Sequence, residues 1–231
     1  MLDSFPPGGT AVIIGATGGI GSAVADAVEG SGAFARVARL SRRSAPPLDL
    51  TSEASIEAAA ASLRHETVRL VFVATGFLHG GGIEPEKSLR RLSVEGLERN
   101  LALNAIGPAL VLKHFCPLLP REGRSVLAMV TARVGSIADN DLGGWYSYRA
   151  SKAAQNQLVR TASIEVARTR PDALLVALHP GTVRSALSEP FAKAGLMVRP
   201  PQESARAMLD VIDGLDETGS FRGYDGAAIP W

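Results

Sequence analysis

Tyr148 and Lys152 stand four residues apart in Tyr148-Arg149-Ala150-Ser151-Lys152, so on a helix they share one face. A tyrosine exchanges protons usefully near neutrality only if its pKa falls from about 10 toward 7, a change of about 4 kcal/mol. One ammonium about 4 Å away, at an effective dielectric near 20, supplies roughly that much. The pair is therefore sufficient for acid–base chemistry, although this spacing alone is common on ordinary helices. Far upstream, Gly15-Ala16-Thr17-Gly18-Gly19-Ile20-Gly21 follows a β-branched run and opens a helical pattern. A dinucleotide fold needs glycine there for a tight turn, for backbone approach to a pyrophosphate and for helix–sheet packing, and the helix N-terminus offers N–H groups to the phosphates. The spacing G-x-x-x-G-x-G differs from the general G-x-G-x-x-G fingerprint, and a plain structural turn is the competing reading.

At the end of the second strand, about 20 residues on, NAD enzymes usually carry an acid for the ribose 2′-OH. Here Ser41-Arg42-Arg43 occupies that point and the first acid is Asp49. Two guanidiniums and a hydroxyl suit a 2′-phosphate, so NADP is favoured over NAD; two solvated surface arginines are the plainer alternative.

These residues need a scaffold, and short β-branched runs alternating with Ala- and Leu-rich helical patterns provide one, a parallel sheet with crossover helices. Strands are expected at Thr10 to Ile14, Ala33 to Leu40, Val68 to Ala74, Ser125 to Val130, Leu174 to Leu178 and, with a tail, Ser220 to Trp231. Helices are expected at Gly19 to Glu29, Ser52 to His65, Ser93 to Leu119, Trp145 to Arg168 and Gln202 to Leu215. Gly107-Pro108 predicts a kink near Asn104 to Pro108. The expected fold class is α/β: a single Rossmann-type domain over residues 1–231, doubly wound, with about seven strands. Residues 184–201 are too long for an ordinary connection and read as a partly helical lid over an apolar substrate, with a disordered insertion as the plainer alternative.

With 231 residues, the chain is long enough for a continuous core without disulfides or metal. The net charge of +1 argues against a nucleic-acid or membrane binder. The single cysteine, Cys116, suits a reducing compartment, and the N-terminus lacks a signal pattern, so a cytoplasmic protein is expected. Apolar runs of about nine residues fall short of a span of ~20. His65, His79, His114 and His179 lie far apart with no metal-ligand spacing, so no metal site is expected. His79-Gly80-Gly81-Gly82 lacks a partner G-x-S-x-G elbow and remains an unassigned loop.

Taken jointly, the motifs resemble those of the short-chain dehydrogenase/reductases over nearly the whole chain. Gly15 to Gly21, Asp49-Leu50, Ala74-Thr75-Gly76, Asn104, Tyr148, Lys152, Pro180-Gly181-Thr182-Val183 and Asp225-Gly226 fall in family order. Ala132 to Ile137, Gly143-Gly144-Trp145-Tyr146 and Pro230-Trp231 look most like the C-factor and sniffer-like carbonyl reductase branch. The resemblance implies that Tyr148 protonates a carbonyl oxygen while NADPH delivers hydride, or deprotonates an alcohol in reverse. It implies that Lys152 lowers the tyrosine pKa and binds the nicotinamide ribose, and that Asn104 holds a water linking Lys152 to solvent. Asp49 and Leu50 would contact adenine, Ala74, Thr75, Gly76, Pro180 and Gly181 would line the cofactor, and Thr182 and Val183 would bind the carboxamide. A small carbonyl or alcohol substrate and a homodimer are implied, with a tetramer also open.

Three departures from the family pattern are visible. Ile14 stands where a threonine is usual, and Ala74-Thr75-Gly76 replaces Asn-Ala-Gly. Ala132 falls at the position of the family's substrate-orienting serine; Ser136, twelve residues before Tyr148, is the expected substitute, with Thr131 the other nearby hydroxyl. Ala132 also motivates a rival reading, a nucleotide-binding signalling or regulatory protein on a reductase scaffold.

Overall fold

Four central stretches of this chain, at 10–14, 68–73, 125–130 and 173–179, alternate their side chains between two buried faces, which is what a sheet covered on both sides requires. In the computed structural model, which describes residues 1–184 and 198–231, they form β1 (Thr10–Ile14), β3 (Val68–Val73), β4 (Ser125–Val130) and β5 (Ala173–His179), with β2 (Arg36–Leu40) and β6 (Ser220–Gly223) at the two edges. The sheet is parallel throughout and ordered β2-β1-β3-β4-β5-β6, with Ile14 opposite both Leu40 and Val73. Among the described residues it has six strands rather than about seven. The proposed lid lies mostly on residues outside the described ones.

Period-2 alternation sorts the strand side chains into two cores. Val12, Ile14, Val71, Val73, Leu127, Met129, Leu175 and Ala177 pack on one face against α2 (Glu53–Ala61), α4 (Gly107–Phe115) and α5 (Tyr146–Ala167). Ala11, Ile13, Leu70, Phe72, Val126, Ala128, Val176 and Leu178 pack on the other against α1 (Gly19–Ser31) and α6 (Pro201–Asp213). The order reverses direction between β1 and β3, so their carboxyl ends flank a topological switch point, where open α/β sheets bind ligands.

Local signals set the helix ends. Gly32, left-handed at φ 68°, stops α1, and the Ser52 and Ser93 hydroxyls cap α2 and α3 (Val94–Leu101) by accepting from Ser55 and Gly96 N–H. The stretch expected as one kinked helix is α3, a π-helical turn over Ala102–Ile106, α4 and a short 3-10 turn. The irregularity falls within the expected stretch at Asn104 to Ile106, takes the form of a π-helical turn, and ends directly before Gly107-Pro108, which open α4. The 25-residue helical stretch Val94–Leu118 holds an 18-residue window of mean hydropathy 1.3, long and apolar enough to cross a membrane by length and composition alone, although no continuous apolar run in it approaches ~20 residues. Its α4 residues Val111, Leu112 and Phe115 are nevertheless buried in the core against the sheet.

Candidate active site

The glycine loop forms because β1 ends beside β2, whose last carbonyl fixes the next turn. Gly15 and Ala16 donate their N–H groups to the Leu40 carbonyl of β2, at 2.9 and 3.2 Å, and Gly18 N–H closes back on the Gly15 carbonyl at 3.0 Å. Gly15 has φ +86°, and a Cβ there would lie 2.8 Å from the Ala74 carbonyl oxygen. A Cβ on Gly21 would lie 2.2 Å from the Gly15 carbonyl oxygen. Side chains at these two positions are therefore excluded by backbone, and α1 begins hard against the loop. No side chain caps α1 at Gly18, and no acid lies in its first turn. Its first N–H groups are thus left for an external acceptor, with the positive end of the helix dipole behind them.

These residues open onto a cleft of about 490 Å³ above the ends of β1, β3, β4 and β5. Gly18, Gly19, Ile20, Ala74, Thr75, Gly76, Pro180, Gly181, Thr182 and Val183 line it, and Tyr148 and Lys152 share its wall. The buried Thr75 hydroxyl and His179 Nδ1 in this wall lack hydrogen-bond partners, unusual for buried polar atoms and suited to an external ligand. Excluded Cβ positions, an uncapped helix N-terminus and orphaned polar atoms all fit a dinucleotide laid along the strand ends.

Tyr148 and Lys152 are 7% and 2% exposed, and Lys152 Nζ lies 5.8 Å from the Tyr148 ring centroid. Burial moves both groups toward their neutral forms, pushing the phenol above its ordinary value and the lysine down to about 7. In the protein itself the tyrosine is thus not lowered, as the helix spacing had suggested, because desolvation dominates. The lysine is held by Gln155 Oε1 at 2.8 Å and the Val130 carbonyl at 3.4 Å. Gln155 did not stand out in the sequence, although its i, i+3 spacing from Lys152 is visible there.

Asn104 is fully buried in the π-helical turn, below Gly76 rather than in the cleft wall. Its Oδ1 accepts the Phe77 N–H at 2.7 Å, and its Nδ2 donates to the Phe77 carbonyl at 2.7 Å and to Ser151 Oγ at 3.0 Å. The side chain expected to hold a water thus clamps the backbone after β3. Ser136 is buried too, but its Oγ accepts the Asp139 N–H at 3.0 Å and it is absent from the cleft wall. The 3-10 turn at Arg133–Gly135 carries it away, whereas Thr131 and Ala132 line the cleft. Thr131 Oγ1 donates to Asn156 Oδ1 at 2.8 Å.

The remaining predicted residues sit at the margin. Thr17 is exposed at the crest of the loop. Ser41 is buried and its Oγ accepts the Arg43 N–H at 3.1 Å, which leaves Arg42 and Arg43 exposed just beyond Leu40 and hence beside the glycine loop. Asp49 Oδ1 accepts the Thr51 N–H and hydroxyl, the main reason its carboxyl lies below the usual range. Leu50 packs against Gly107, where a Cβ would lie 2.7 Å from its own Cβ. Leu78, Val134, Trp145 and His179 complete the wall. Trp145 meets Tyr148 edge-on at 6.1 Å, and burial holds His179 neutral, at about 4. The position of His179 directly before Pro180-Gly181 was the signal that could have marked it.

The sequence matches the family model described as short chain dehydrogenase over residues 9–194. It is 34% identical over 188 residues to a 1-hydroxy-2-glutathionyl-2-methyl-3-butene dehydrogenase of Rhodococcus sp. (strain AD45), covering 80% of this chain and 79% of the relative. It is 40% identical over 138 residues to the C-signal protein of Myxococcus xanthus, covering 58% of this chain and 78% of the relative. Among solved structures, an NADPH-bound carbonyl reductase from chicken fatty liver superposes with a TM-score of 0.84 at 24% identity, over 98% of this chain and all of that one.

Proposed function

The chain belongs to the short-chain dehydrogenase family of oxidoreductases, and on that premise we propose that it is an NADP-dependent carbonyl reductase, or an alcohol dehydrogenase in reverse, for a small, mainly apolar substrate. One observation carries the reading: a single cleft is walled by the glycine loop at one end and by the buried Tyr148–Lys152 pair at the other. The cofactor, when bound, supplies the hydride. The N–H groups at the start of α1 would hold its diphosphate, Arg42 and Arg43 would meet a 2′-phosphate, and Thr182 and Val183 would bind the carboxamide. As the carbonyl carbon gains hydride, Tyr148 Oη gives its proton to the carbonyl oxygen, leaving an alcohol and a phenolate. Lys152, poised near 7, stabilises that phenolate in its charged form and can return a proton to it. Leu78, Val134, Trp145 and Val183 give the apolar wall that favours an apolar substrate.

The second reading, a nucleotide-binding signalling protein with weak or no turnover, is favoured by Ala132 in the cleft wall and by the likeness to C-signal. Oxidation of NADPH screened against aldehydes, ketones and quinones separates the two. Turnover of any class supports the reductase, and NADPH binding without turnover across the panel supports the second reading.

A further inference from the structure

We infer that Glu86 is a positioning residue for Tyr148: its carboxylate, delivered by the Gly80–Gly82 hairpin, caps the helix that carries the tyrosine. The inference rests on the reading of Tyr148 as the proton donor.

The helix α5 begins without a cap of its own. Its N-cap residue is Trp145, in a left-handed conformation at φ 53° and with no side-chain hydrogen bond to the helix. The first turn's N–H groups therefore need an outside acceptor. Glu86, 5% exposed, supplies it from more than fifty positions upstream. Its Oε2 accepts the Ser147 N–H at 3.1 Å, its Oε1 accepts the Ser147 hydroxyl, and its carbonyl accepts the Trp145 N–H at 2.5 Å. The N–H and the hydroxyl of the residue directly before Tyr148 are thus both committed to one carboxylate. The slot is closed behind by α3, where a Cβ on Gly96 would lie 3.3 Å from Glu86 Oε1.

The chain between β3 and Glu86 explains how the acid gets there. Phe77 is clamped at both backbone groups by Asn104. The strand-like pair Gly80–Ile83 then turns the chain through Gly80, Gly81 and Gly82 at φ +129°, +61° and +85°, values that only glycine adopts freely. The same Asn104 reaches Ser151, whose hydroxyl donates to the Tyr148 carbonyl at 2.8 Å. One loop therefore grips α5 at Ser147 and, through Asn104, at Ser151, on both sides of the tyrosine. The glycine run that matched no motif makes the turn that brings Glu86 home. Because a displacement of about 1 Å in a reacting group can cost ~100-fold in rate, this grip belongs to the chemistry as well as to the fold.

The test uses the full chain with NADPH and, as carbonyl probes, para-nitrobenzaldehyde and phenanthrenequinone, on wild type, Tyr148→Phe, Glu86→Ala, Glu86→Gln and Ser147→Ala. Glu86→Ala is expected to lower kcat about 10- to 100-fold, while the Kd for NADPH stays within about twofold, because the glycine loop lies at the other end of the cleft. Glu86→Gln keeps an acceptor for the Ser147 N–H and should recover kcat to within about fivefold of wild type. Should Glu86→Ala fail to fold, Ser147→Ala carries the test, with kcat expected to fall roughly threefold or more at unchanged NADPH affinity. Wild-type kcat in the folded Glu86→Ala or, in its place, Ser147→Ala, beside an inactive Tyr148→Phe, overturns this inference alone, as does a loss confined to NADPH affinity. An active Tyr148→Phe, or a wild type that turns over neither these probes nor any ketone of the wider panel, overturns the functional reading and this inference with it.

Discussion

Gly21→Ala tests whether the glycine loop is shaped for a dinucleotide. The added Cβ would lie 2.2 Å from the Gly15 carbonyl oxygen, 2.7 Å from its carbon and 3.2 Å from Ala16 Cα. Carbon and oxygen rest at about 3.3 Å or more, so loop and helix must part by roughly 1 Å. Gly15 cannot retreat cheaply, since its N–H is bonded to Leu40 and its carbonyl to Gly18 N–H. The start of α1 therefore lifts, and its N–H groups lose their aim at the diphosphate. Hydrogen bonds to charged groups contribute ~1.5–3 kcal/mol each, so two misaligned bonds cost about 3–6 kcal/mol, or roughly 10²- to 10⁴-fold in NADPH affinity. Fluorescence titration with NADPH, alongside thermal unfolding, reads both consequences. Gly30→Ala on the same helix is the control, because a Cβ there meets nothing within 4 Å. It should leave NADPH binding unchanged and gain about 0.5–1 kcal/mol in stability. A Gly21→Ala variant with wild-type affinity and wild-type Tm would refute the argument.

Two further outcomes follow from the site. Arg42→Ala combined with Arg43→Ala should cut the preference for NADPH over NADH by about tenfold or more, read as a ratio of kcat/KM values, and an unchanged ratio removes the arginines from cofactor choice. Lys152 titrates at about 7 in the folded protein against 10.5 as an ordinary lysine, so between these values the unfolded chain binds a proton that the folded one does not. Its contribution to stability therefore rises with pH from about 7 to about 10, by up to ~1.4 kcal/mol per unit, before the raised Tyr148 acts in the opposite direction at higher pH. Urea denaturation across that window should show this rise in wild type and its loss in Lys152→Met; parallel pH profiles for the two proteins contradict it.

Much of this site could be read without coordinates because the chemistry is local in sequence. The loop Gly15–Gly21 needs only β1 before it and α1 after it, and Tyr148 and Lys152 need only one helix. The short β-branched runs likewise marked the strands of the sheet. What stayed hidden depends on distant partners. Gly107-Pro108 marked an irregularity near Asn104 but not its form, a π-helical turn over Ala102–Ile106 from which Asn104 reaches Phe77 and Ser151. Ser136 stood at a plausible interval from Tyr148, yet a single 3-10 turn points its hydroxyl at Asp139. Glu86 had no local mark at all, because its worth lies in meeting Ser147 across the fold. The tyrosine's pKa also escaped the spacing argument, since burial, which spacing does not report, outweighs the neighbouring lysine.

The most direct test of the account is Tyr148→Phe, which removes one hydroxyl from the cleft and leaves the edge-on packing surface for Trp145 in place. Assayed for NADPH oxidation with a carbonyl that the wild type reduces, the variant is expected to bind NADPH as wild type does and to lose about 10²- to 10⁴-fold in kcat. Full turnover in the variant would contradict the assignment of Tyr148 as the proton donor.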